Sequence, residues 1–137
     1  MHYQGNQRNF NPRGAKGELP DESRIKKILA GDAKELNEYA DDLAVWYVKG
    51  KDKEKLTTSQ IRNVLDEIQK MKDYDEYRLQ MLRPKLAYAA GRQHKGKVKE
   101  FRDLMEVLIR NTNKTNFSNF KNFVEAIVAY HKFYDGK

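Results

Sequence analysis

The chain has no cysteine among its 137 residues, which excludes a disulfide framework, a thiolate nucleophile and any zinc site built on sulfur. It lacks an apolar run long enough to span a bilayer. Its start, Met1-His2-Tyr3-Gln4-Gly5-Asn6, does not show the charged-then-apolar pattern of a secretory signal, so the expectation is a soluble, cytoplasmic protein. Histidine is scarce. Only His2, His94 and His131 are available as neutral-pH bases or soft-metal ligands, and none stands in a His-Glu-x-x-His spacing. Glycine-rich phosphate loops of the Gly-x-Gly-x-x-Gly or Gly-x-x-x-x-Gly-Lys-Ser/Thr kind do not occur, since Gly91-x-x-x-x-Gly96-Lys97 is followed by Val98. The best-clustered carboxylates, Asp73, Asp75 and Glu76, lack the glycine and distant glutamate of a calcium loop and read as a solvated helix start. Asp41-Asp42 likewise reads as a polar helix face. The expectation is no enzyme activity, no metal and no cofactor.

Positive charge, by contrast, is in excess and is concentrated. Twenty-seven Lys and Arg oppose twenty Asp and Glu, leaving a formal charge of +7, the sign expected of a chain with a polyanionic partner. Residues 83–102 hold seven cations, Arg83, Lys85, Arg92, Lys95, Lys97, Lys99 and Arg102, against Glu100 alone. That stretch nets +6, and the remaining residues net +1. Within it Lys85, Tyr88 and Arg92 stand at i, i+3 and i+7, which puts two cations and an aromatic ring on one helix face. Such a face suits a single strand: cations contact phosphates and a ring offers a stacking surface, giving affinity without a base code. The plainer alternative makes Lys95-Gly96-Lys97-Val98-Lys99 a solvated loop and Tyr88 a core residue with its hydroxyl at the surface. Arg62 and Arg83 extend the patch only if their helices are adjacent.

Hydrophobic periodicity predicts an all-α, compact bundle of five to six short helices over residues 21–137, preceded by a basic, disordered arm over residues 1–20. The arm is rich in Asn, Gln, Gly and Pro and carries Arg8, Arg13 and Lys16, so it reads either as an untidy terminus or as a tail that folds onto phosphates. Asp21 or Ser23 can cap a first helix and Asp32 a second, which Gly50 ends; Thr57, Thr58 or Ser59 can cap a third containing Ile61, Leu65 and Ile68. A fourth starts near Tyr74 or Asp75 and either bends or restarts at Pro84. A turn at 91–96, a fifth helix and a final aromatic-rich helix opened by Asn116 or Ser118 follow. Glu125 is expected to pair with an arginine from another helix or with Lys121, and His131 to be a surface or capping histidine near the end of the last helix, or to touch phosphate or a partner protein.

Three segments carry a family resemblance: Leu56-Thr57-Thr58-Ser59-Gln60-Ile61-Arg62, Leu82-Arg83-Pro84-Lys85-Leu86-Ala87-Tyr88-Ala89-Ala90-Gly91-Arg92, and Phe120 to Phe123 followed by Glu125-Ala126-Ile127-Val128-Ala129-Tyr130-His131-Lys132. Together, over roughly residues 21–134, they resemble the small subunit of type III-A CRISPR effector complexes, the Csm ribonucleoproteins. The resemblance implies a non-catalytic helical subunit of antiviral defence, stacked in several copies along the inner filament. Its implied partners are the target single-stranded RNA, the guide-holding repeated backbone subunit and the large polymerase-like subunit, with no membrane. Arg62, Lys85 and Arg92 match the family segments, and Arg83 lies inside one; the resemblance implies phosphate contact for each. Lys95, Lys97 and Lys99 rest on charge alone, and Tyr88 on its place between the cations. A free-standing basic helical DNA-binding protein is the alternative, although no helix-turn-helix signature supports it. A helical protein-interaction module using Tyr3, Tyr47 or Tyr134 is a third.

Overall fold

In a computed structural model describing residues 20–49, 55–92 and 96–135, the chain forms six helices: α1 Glu22–Leu29, α2 Ala33–Tyr47, α3 Thr58–Gln69, α4 Glu76–Arg92, α5 Lys97–Arg110 and α6 Phe117–Asp135. No strand occurs among the described residues, so the bundle is all-α as the periodicity predicts. Residues 1–19 of the expected arm, together with Gly50, lie outside the described residues.

Local chemistry sets the helix starts. The Asp21 carboxylate accepts from the backbone N–H groups of Ser23 and Arg24, and that of Asp32 from the N–H of Glu35, satisfying donors that have no partner inside the first turn. Thr57 and Gln60 form a reciprocal capping box at α3. Asp75 does the same work for α4 through the N–H of Arg78 at 3.0 Å. Between α1 and α2 the chain turns on Gly31, whose φ of 109° suits a residue without a Cβ. Pro84 neither stops nor restarts α4, which runs through it. Proline costs least there because Pro84 and Gln80, whose carbonyl loses its donor, both face water.

The last helix is the axis of the bundle: α6 packs against α2, α3 and α1, and α4 pairs with α5. Its apolar stripe, Phe117, Phe120, Phe123, Val124, Ile127 and Val128, is buried. Tyr39 of α2 stacks on Phe123 at 5.9 Å, and Tyr47 meets Phe101 of α5 edge-on at 5.7 Å, so one aromatic-rich core joins α2, α5 and α6. Tyr47 is therefore core and not a partner surface, and Tyr134 turns inward to donate to Asp41.

Three sequence expectations are corrected by this packing. His131 is wholly buried, with Nε2 donating to the Leu56 carbonyl at 2.7 Å. Glu125 accepts from Gln69 Nε2 at 3.3 Å, while Lys121 donates to the Met71 carbonyl, so neither expected partner holds the acid. Asp42, instead of lying on a polar face, is only 3% exposed.

Burial pushes the Asp42 carboxyl up to about 6, because a low-dielectric site disfavours its charged form. The folded chain therefore binds a proton more readily than the unfolded one, and the group's contribution to stability grows as pH falls through 6 toward the ordinary aspartate range. Between pH 8 and pH 5 the expected gain is about 1 kcal/mol, or a few degrees in Tm. Thermal unfolding of wild type and Asp42→Asn across that range checks it: the gain should be missing from the variant, and parallel pH profiles would refute the assignment.

Candidate nucleic-acid interface

The α4 helix has one buried side, formed by Leu79, Leu82, Leu86 and Ala90. Opposite it, Tyr77, Met81 and Tyr88 are 75%, 42% and 70% exposed. Their spacing of four and seven residues aligns them along one stripe of the helix. Tyr88 is thus no core residue, and its ring is open to a ligand.

Beside this stripe runs a row of cations. Arg78, Lys85 and Arg92 recur every seven residues, so they share one flank of α4 about 10 Å apart, and all three are exposed. The Arg92 guanidinium lies 5.8 Å from the centre of the Tyr88 ring, a cation–π contact that props the arginine beside the aromatic surface. Lys85 faces α3 across a groove of about 770 Å³, lined among others by Val64, Leu82, Leu86 and Ala89. Its ammonium bridges that groove to Glu67 Oε1 at 3.2 Å. Lys70, one turn along α3, holds the other Glu67 oxygen at 3.2 Å. Hydrogen bonds from Lys70 and Lys85 keep the Glu67 carboxyl below the usual carboxylate range.

The remaining residues singled out from sequence scatter around this flank. Arg83 follows two residues before Lys85, a rotation of about 200°, so it projects to the other side of α4. There its Nε donates to Glu106 of α5 at 3.0 Å and its Nη1 to Gln80 at 3.1 Å. Arg62 is exposed but shares its edge of α3 with Thr58 and Gln69, which bond to Asp135 and Glu125 of α6. It therefore lies toward α6 and away from the groove. Lys97 does structural work, its ammonium donating to the Trp46 and Lys49 carbonyls at 3.0 Å each and lying 4.7 Å from the centre of the Trp46 ring. It thereby caps the carbonyl end of α2. Lys99 is exposed on the first turn of α5, while His94 and Lys95 fall outside the described residues.

Sequence reasoning missed Tyr77 and Arg78. The signal was present, since Arg78 precedes Lys85 by seven residues and Tyr77 precedes Tyr88 by eleven, both helical repeats of one face.

The described residues contain no group of three or more His, Asp and Glu able to hold a metal ion, and no helix among them is long and apolar enough to cross a membrane. Fold and surface together define a small helical module with a cationic, aromatic-bearing helix face. The family model Csm2 Type III-A matches residues 30–137, and the chain belongs to that family, the small subunit of type III-A CRISPR complexes. Membership places it in a Csm complex with other subunits. No curated protein and no solved structure matches the chain.

Proposed function

We propose that the chain is a non-catalytic subunit that stacks in several copies along the inner filament of the type III-A complex and lies along the target RNA. Its contacts are to the phosphate backbone of single-stranded RNA, without sequence preference. The observation that carries this reading is the α4 face, where exposed Tyr77 and Tyr88 border the row Arg78, Lys85 and Arg92. Cations at regular intervals suit a chain of phosphates, and rings beside them suit unpaired bases. Blindness to sequence is what a guided complex requires, because pairing with the guide already selects the target and a base-reading protein would narrow it. Arg62, Arg83, Lys97 and Lys99 belong to this reading as secondary contacts, of which Arg83 and Lys97 must first leave their present partners.

Titration of fluorescent single-stranded RNA, single-stranded DNA and duplex DNA tests it. An Arg78, Lys85, Arg92 triple alanine variant should bind single-stranded RNA about ten- to thirty-fold more weakly than wild type, the sum of three modest ion pairs. Wild-type affinity should fall with salt by roughly 0.7 log units per log unit for each phosphate contact. Where the isolated chain binds weakly, the same comparison is made in the reconstituted complex. A salt-independent affinity or an unaffected triple variant would refute the proposal, and a preference for duplex would favour the DNA-binding alternative.

A further inference from the structure

Among the three cations of the α4 flank, one is held by an acid from a different helix. Lys85 Nζ sits 3.2 Å from Glu67 Oε1, across the mouth of the α3–α4 groove, and both side chains remain partly open to water, at 62% and 37%. Lys70 approaches the same carboxylate from within α3 at 3.2 Å. When Lys85 leaves, Glu67 keeps Lys70 and is not stranded as a bare anion. That asymmetry makes the crossing bridge the one that can be surrendered: Lys70 is tethered one turn away, whereas Lys85 reaches over from α4 on a flexible four-carbon stem.

We propose that Glu67 is a positioning residue for RNA binding, a latch that parks the Lys85 ammonium over the groove and releases it to a phosphate. This rests on reading the α4 flank as the RNA face. The physics follows from competition: an anion already bound to Lys85 must be displaced by the incoming one, so part of the phosphate contact is offset by the bridge that it breaks. Among the described residues Arg78 and Arg92 have no acid to give up, and they supply the first contacts, with Lys85 following. Glu67 thereby sets affinity without touching the ligand. A subunit that must accept any target and later let it go gains from such an internal competitor, because it weakens binding uniformly and carries no sequence information.

Three substitutions separate the latch from a general change of charge. Glu67→Gln removes the competing anion; Glu67→Asp keeps the charge but shortens the side chain by one methylene, roughly 1.5 Å, too short to hold a 3.2 Å bridge in place. Glu38→Gln, at an exposed position of α2, removes one negative charge elsewhere. In single-stranded RNA titrations at 0.15 M salt, Glu67→Gln should bind about two- to five-fold more tightly than wild type, the worth of one exposed ion pair. Glu67→Asp should shift in the same direction, while Glu38→Gln changes affinity less than either, because charges beyond about 8 Å are screened. Both Glu67 gains should shrink by at least half in a Lys85→Ala background. A Glu67→Gln gain no larger than that of Glu38→Gln, or one that survives Lys85→Ala undiminished, overturns the latch while RNA binding by wild type still stands. If wild type binds no single-stranded RNA, alone or in the complex, the reading of the face falls and the latch falls with it.

Discussion

Phe123→Ala is expected to lower the unfolding free energy by about 3–5 kcal/mol, with Tm falling by roughly 10–20 °C. The ring is fully buried on α6, stacked on Tyr39 of α2 at 5.9 Å, and α6 is the helix to which α1, α2 and α3 are all attached. Truncation removes apolar surface from contact and leaves a void that helices on several sides cannot all collapse to fill. With native stabilities generally of about 5–15 kcal/mol, the variant remains folded but marginal. Urea denaturation measures the loss, and a change below 1 kcal/mol would mean that α6 is not the structural axis. Since Phe123 lies on no exposed surface, the RNA binding proposed for the α4 face should be unchanged in the folded fraction.

The second large effect is expected at His131. His131→Ala should cost about 2–4 kcal/mol, combining the cavity left by a buried ring with an unpaired carbonyl at Leu56. The imidazole is completely buried, Nε2 holds the Leu56 carbonyl at 2.7 Å, and Nδ1 has no partner among the described residues. Leu56 directly precedes the Thr57 cap, so this bond fixes where α3 begins relative to α6. The loss should appear as faster hydrogen exchange at the start of α3, at Gln60 and Ile61, before it appears elsewhere. His131→Gln retains a donor and should recover part of the stability. If Ala and Gln variants were equally destabilised, packing alone would account for the residue, and the hydrogen bond would have no separate role.

Residue by residue, most of the fold is legible in the sequence because its helices are locally encoded. Asp21, Asp32 and Thr57 cap where side-chain acceptors precede apolar periodicity, and the buried faces of α3, α5 and α6 follow the expected stripes. His131 was legible too, since Phe120, Val124, Ile127 and His131 continue one stripe at spacings of four, three and four. A polar side chain at the end of such a stripe reads as surface only if nothing packs over it. Asp42 was not legible, because its burial comes from the helices laid against α2, not from the residues beside it in the chain.

The α4 face divides the same way. Composition marked the basic stretch, and the helical repeat by itself separates Arg83 from Lys85 and joins Arg78, Lys85 and Arg92 on one flank. What the repeat could not tell is which cations are already engaged. Arg83 binds Glu106, Lys85 binds Glu67, and Lys97 caps α2, each through a partner at least eighteen residues away.

The sequence by itself determined the helices, their caps, the buried stripes and the excess of positive charge, because each depends on residues within a turn or two of one another. Only the tertiary structure decided that Asp42 is interior, that Arg62 lies on the edge of α3 toward α6 and that Lys85 is held by Glu67. Those outcomes depend on which helix faces meet, and ion pairing and desolvation act through space between residues that the chain keeps far apart.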